Sequence, residues 1–166
     1  KNILVEDWGG KFQCAEISAK VGTGMKDLLE KIDVLMSARL MDGASEFSTI
    51  CLPEDLEFYI DEKQISQVLI NLGKNALQSV ESNNGGKVQL VAGIDENGSK
   101  FIDIRDNGPG IPPEVMDEIF VPFFTTKSEG TGIGLSLSKR VMQLHGGSIQ
   151  VRSVPDSETV FRLTFA

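Results

Sequence analysis

The sequence predicts an α+β fold: a two-layer α/β sandwich in which one mixed, mostly antiparallel sheet is covered on one face by three helices. Three observations carry the expectation. Segments 62–82 and 133–144 are long enough for helices, and the first repeats apolar residues at helical spacing. Short alternating segments follow and separate them, two joined by the hairpin-forming pair Asn97-Gly98. The composition, 40% hydrophobic and 24% charged over 166 residues, is that of one ordinary globular domain with room for an appendage.

Taken in order, residues 12–17 are a strand candidate, followed by Gly22, Gly24 and a helix from Met25. Residues 41–47 read as a linker, which divides the chain into an amino-terminal segment or fusion remnant, 1–44, and a domain, 45–166. Residues 47–52 and 56–60 form short strands around the turn at Pro53. Helix 62–82 carries Ile65, Val68, Leu69, Leu72, Ala76 and Val80 on one face, and the Asn-Asn-Gly-Gly run at 83–86 stops it. Strands 87–94 and 100–105 make a hairpin. Pro112-Pro113-Glu114 opens a short helix that runs to about Ile119. Helix 133–144 ends at Gly146-Gly147, and 148–154 and 159–165 form a last hairpin around Pro155-Asp156.

A net charge of −8 argues against nucleic acid or an anionic membrane as the main partner. No apolar run approaches the roughly 20 residues that cross a bilayer, and no signal peptide is visible. Cys14 and Cys51 are isolated, without metal-ligand spacing, as expected of reduced thiols. Chemistry concentrates elsewhere. Asp106-Asn107-Gly108-Pro109-Gly110-Ile111 and Gly130-Thr131-Gly132-Ile133-Gly134-Leu135 are glycine-rich, and the second opens a helix. Glycine admits positive φ and close approach of main-chain N–H groups, and a helix N-terminus behind such a loop suits phosphate. Helix 62–82 adds a stripe of amides, Gln67, Asn71, Asn75 and Gln78. An amide oxygen ligates Mg²⁺ without adding charge against phosphates.

These segments resemble the ATP-binding catalytic domain of bacterial two-component sensor histidine kinases, in the variety concerned with nitrogen regulation. Asn71-Leu-Gly-Lys-Asn75-Ala resembles the family's N box, and the two glycine segments its glycine boxes. Phe120-Val-Pro-Phe-Phe-Thr-Thr-Lys127 resembles its F box, and His145-Gly-Gly-Ser-Ile the motif after the lid helix. The resemblance covers roughly 120 residues and implies the histidine kinase-like ATPase fold. It implies ATP and Mg²⁺ as cofactors, with Asn75 as the metal ligand and Asn71 and Lys127 as catalytic residues at the γ-phosphate. Asp106 would accept from the adenine amine, with Gly108, Gly110 and Ile111 turning around the base and Thr159 behind it. Lys74, Phe120, Thr126, Gly130, Thr131, Gly132, Ile133, Gly134 and Leu135 would complete the nucleotide site, with 121–130 as a lid.

The resemblance further implies a cytoplasmic domain with two partners: the histidine-containing dimerisation domain of the same protein and a response regulator receiver domain. The parent protein is expected to be a homodimer. His145, at a helix end, reads as structural, so the phosphoacceptor lies elsewhere. The final hairpin departs from the family pattern in lacking a Gly before Thr159. An ATP-dependent clamp or an anti-sigma-type serine kinase of the same superfamily is the alternative. Clamp ATPases place a Glu base where this chain has Asn71, and an amide cannot take a proton from water at neutral pH. Asp7-Trp-Gly-Gly and Glu16-Ile-Ser18-Ala-Lys20 resemble part of the GTPase domain of bacterial translation initiation factor two, without that domain's phosphate loop. The other expectation for this part is a helix, 25–40, packing on the domain through Leu28, Leu29, Ile32, Leu35, Met36 and Leu40.

Overall fold

A computed structural model describes residues 20–40, 45–81, 85–127 and 130–165. The elements are β1 (Val21–Gly24), α1 (Met25–Ser37), β2 (Glu46–Cys51), β3 (Glu57–Ile60), α2 (Glu62–Val80), β4 (Lys87–Ile94), β5 (Lys100–Asp106), a 3-10 turn (Pro113–Val115), α3 (Gly134–Leu144), β6 (Ser148–Val154) and β7 (Glu158–Phe165). Five strands form one sheet in the order β2-β4-β5-β7-β6; β2 and β4 are parallel and every other pair is antiparallel. β1 and β3 form a separate antiparallel ribbon. The two strands expected around Pro53 therefore belong to different sheets.

Strand alternation sets which residues face the helices. Val88, Leu90 and Ala92 of β4, Ile102 and Ile104 of β5, and Phe161, Leu163 and Phe165 of β7 point into the core. The same period continues to the last residue of β5. It places Asp106 on the helix face, directly opposite Thr159 of β7. All six residues expected on the apolar face of α2 are buried. Asp61 caps that helix, its Oδ1 accepting from the N–H groups of Lys63 and Gln64 at 3.0 and 3.2 Å.

The third helix on the sheet is α1, the helix that the sequence reading sets ahead of domain 45–166 and offers as packing on it. Met25, Leu28, Leu29, Ile32 and Met36 are buried in the common core, while Leu35 is exposed. α1 approaches α2 closely at Gly73, where a Cβ would lie 3.2 Å from Met36 Sδ. β2 begins at Glu46, in the tract read as linker and one residue ahead of the expected strand 47–52. Residues 20–40 thus share one hydrophobic core with α2 and the five-stranded sheet. The strand candidate 12–17 and the translation-factor resemblance up to Ala19 lie outside the described residues, as do 41–44 of the linker. The helix expected over 112–119 is reduced to the 3-10 turn.

Candidate functional site

A cavity of about 520 Å³ lies between α2, the loop after β5, the segment 124–127 and the start of α3. Asn71, Asn75, Gln78 and Ser79 form one wall, because residues three, four and seven or eight apart share a helix face. Asp106 and Thr159 lie at its base.

At the Asp106 end, the carboxylate is buried and Oδ1 accepts from Ser79 Oγ at 2.8 Å and from the Gly108 N–H at 3.0 Å. Burial pushes its pKa above the ordinary carboxylate value, against the Ser79 and Gly108 hydrogen bonds and the charge of Lys127. Behind it, the hydroxyls of Thr159 and Ser153 are 3.0 Å apart, and the Ile111 N–H donates to Ser153 Oγ at 2.8 Å. Gly110 needs to be glycine twice over: its φ is +82°, and a Cβ would sit 3.0 Å from Pro155 Cα.

At the other end, Asn71 Nδ2 donates to Ser138 Oγ at 3.0 Å, and that hydroxyl donates to the Gly134 carbonyl at 2.9 Å. A side chain on Gly134 would overlap the Asn71 amide, so glycine is what lets α3 begin against α2. Asn75 lines the cavity one turn further along. The Phe123 N–H donates to the Gly132 carbonyl at 2.9 Å, tying together the two ends of the intervening loop. Both residues have positive φ, 68° and 67°, which for Phe123 is a strained backbone. Lys127 reaches across to Gln78, donating from Nζ to Oε1 at 2.8 Å. Desolvation of its ammonium lowers the pKa, opposed by the charges of Glu81 and Asp106.

Of the residues expected at the site, Asn71, Asn75, Asp106, Gly110, Ile111, Thr126, Lys127, Gly130, Thr131, Gly132, Gly134, Leu135 and Thr159 line this cavity together. Four do not. Lys74 is exposed on α2 outside the lining, and Ile133 is likewise exposed. Gly108 packs against Ser79. Phe120 supports the wall from behind: its ring meets Phe161 edge-on at 6.5 Å, and Lys139 Nζ lies 5.2 Å from its centroid. Within the segment that resembles the F box, Phe123 is 64% exposed, whereas Phe124 packs against the core. Lys127 stands at the Asp106 end rather than beside Asn71. Sequence reading missed Ser79, Ser138 and Ser153. Ser79 continues the Asn71, Asn75 spacing by four and was detectable from it; Ser138 and Ser153 reach the site only through tertiary packing.

Away from the cavity, His145 is buried between α3 and the start of α2. Its Nε2 accepts from the Asp61 N–H at 3.1 Å, so the ring proton resides on Nδ1, which donates to the Val141 carbonyl at 2.9 Å. On the outer face of the sheet, Asp103 is buried beneath Arg162, which forks onto both carboxylate oxygens at 2.7 Å, and Arg105, at 2.9 Å. Burial pushes the Asp103 pKa up, but the two arginines outweigh it and hold it below the ordinary value. Among the described residues no cluster of three or more His, Cys, Asp or Glu side chains could hold a metal, and no helix is long and apolar enough to cross a membrane.

The sequence profile of the histidine kinase-, DNA gyrase B- and HSP90-like ATPases matches residues 60–166. Among curated proteins, the chain is 34% identical over 82% of its length to the C4-dicarboxylate transport sensor protein DctB of Rhizobium meliloti (strain 1021). It is 40% identical over 82% of its length to the signal transduction histidine-protein kinase AtoS of Escherichia coli (strain K12). In each case it spans 22% of the relative's length. Matches over 82% of the chain are longer than residues 45–166 alone, so they run into the amino-terminal part. Among solved structures, the catalytic domain of histidine kinase ThkA, in a nucleotide-free form, superposes with a TM-score of 0.77 at 31% identity, covering 88% of this chain and 94% of that one. Full-length ShkA in complex with AMPPNP also gives 0.77, at 26% identity over 92% of this chain and 32% of that one.

Proposed function

The chain belongs to the histidine kinase-, DNA gyrase B- and HSP90-like ATPase family, as an ATP-binding catalytic domain of the sensor histidine kinase kind, and we propose that it transfers the γ-phosphoryl group of Mg-ATP to a histidine on a separate dimerisation domain. The observation that carries the reading is the polarity of the α2 wall. It presents Asn71, Asn75, Gln78 and Ser79 to a cavity with a buried carboxylate at its base and glycine-lined backbone opposite. On this reading the Asp106 carboxylate accepts from the adenine amine, with Gly110, Ile111 and Thr159 around the base. The triphosphate extends toward Asn75 and the backbone of 130–134, where N–H groups at the start of α3 favour anionic oxygens.

The residues present fit a magnesium ion that takes most of its ligands from phosphate and water, with the Asn75 side-chain oxygen as the protein's contribution. Such an ion would neutralise charge on the phosphates during transfer. Asn71 holds α3 to α2 through Ser138 and keeps its carbonyl oxygen for the phosphate end. It supplies no base for water, which favours transfer to protein over the hydrolysis that drives a clamp. Lys127 swings from Gln78 to the γ-phosphate when the nucleotide is present. The unit performing this work includes α1, which belongs to the core. The parent protein is a cytoplasmically exposed homodimer whose phosphohistidine serves a receiver domain.

The test is labelled ATP supplied to this chain with and without a histidine-containing dimerisation domain. Acid-labile label should appear on the added domain and not on the chain alone. Label on the chain alone that disappears in His145→Gln would overturn the assignment.

A further inference from the structure

Ser79 ties together the three elements that make the buried end of the cavity. Its Oγ lies 2.7 Å from the Ala76 carbonyl oxygen and 2.8 Å from Asp106 Oδ1. A hydroxyl carries one proton and can satisfy only one of these acceptors at a time. With Asp106 ionised, the charge-assisted bond to the carboxylate is the stronger. The loop after β5 closes on the same atom: a Cβ at Gly108 would lie 2.7 Å from Ser79 Oγ, and the Gly108 N–H donates to Asp106 Oδ1. Both protein donors therefore converge on Oδ1. Since Asp106 lines the cavity, Oδ2 is the oxygen left for a ligand.

We propose that Ser79 is a positioning residue that locks the Asp106 carboxylate with Oδ2 toward an exocyclic amine, and so sets the preference for adenine over purines that lack that amine. This rests on the adenine reading given above. Two features of the site make a neutral hydroxyl donor suited to the task. It adds no charge to a wall whose other polar side chains are amides, and it sits on a helix rather than on the loop that must accommodate the base. Its hydrogen bond also opposes the upward pull of burial on the Asp106 pKa.

The experiment titrates wild type, Ser79→Ala and Ser79→Cys calorimetrically with Mg-ADP and with the diphosphate of purine riboside, which lacks the 6-amino group. Cysteine keeps the size of the side chain with only a weak donor, so it separates packing from hydrogen bonding; thermal unfolding checks that each variant is folded. Wild type should prefer ADP. In both variants ADP affinity should fall about ten-fold or more, the scale of a hydrogen bond to a charged group, while the deaminated analogue changes less than about two-fold. The acid limb of ADP binding should also move to higher pH, a shift that lost packing alone does not produce. Equal losses for the two nucleotides, or preserved preference in the folded Cys variant, would overturn the proposal. Asp106→Ala, which removes the acceptor altogether, measured alongside separates the two levels: if it too keeps the preference, the adenine reading itself fails, and if it alone abolishes the preference, only the role of Ser79 fails.

Discussion

Leu29→Ala tests whether α1 is an integral part of this domain. Leu29 is 1% exposed and belongs to the cluster that joins α1 to α2 and the sheet. Truncating such a leucine removes three buried carbons and leaves a cavity that the surroundings refill only in part, at a cost of about 2–5 kcal/mol. Leu35, six residues further along the same helix, is 50% exposed, and Leu35→Ala should change stability by no more than about 0.5 kcal/mol. The two substitutions have the same effect on helix propensity, so their difference isolates burial. A urea slope of about 2 kcal/mol per molar converts the first loss into a midpoint lower by about 1–2.5 M. Against a total stability of about 5–15 kcal/mol, that is a large fraction. The assay is urea unfolding followed by circular dichroism, with nucleotide affinity measured in parallel. Small and equal effects at both positions would show that α1 is a detachable appendage and refute the shared core.

Asn71→Glu should retain nucleotide binding and release phosphate faster than wild type, because it installs the base that hydrolysing relatives use, whereas Asn75→Ala should lose metal-dependent binding; equal phosphate release by wild type and Asn71→Glu would dismiss the base argument. Asp103→Asn should destabilise at neutral pH by about 1–3 kcal/mol, below the value for a fully buried pair because both guanidiniums reach water. The folded pKa of Asp103 is depressed, so its stabilisation is present above the ordinary carboxylate value and lost as pH falls through the folded pKa; the stability curves of wild type and Asp103→Asn should converge below about pH 4. His145→Ala should cost about 1–3 kcal/mol by removing the acceptor of the buried Asp61 N–H, read from thermal unfolding, and should leave base preference intact.

The elements of this protein were legible because they rest on local periodicity. The six apolar residues of 62–82 share a face by helical geometry alone, and β4 and β6 run over the residues that alternation assigns to them. Asp106 drew attention through its glycine neighbours, and it lines the cavity. The strand period that turns it inward opposite Thr159 follows once the β5–β7 register is known. What local pattern leaves open is partnership over long separations. Nothing in 46–51 and 57–60 says that these strands join different sheets, since pairing depends on which edge each one meets. The tract 41–47 reads as a linker, and local pattern does not say whether the helix before it packs on the domain; the apolar face of α1 is covered by the same core that α2 and the sheet build. The same limit applies at the site. The repeat Asn71, Asn75, Ser79 is written along one helix, but Ser138, Ser153 and the reach of Lys127 to Gln78 exist only because α3, β6 and the segment after Phe123 are brought against that helix by tertiary packing.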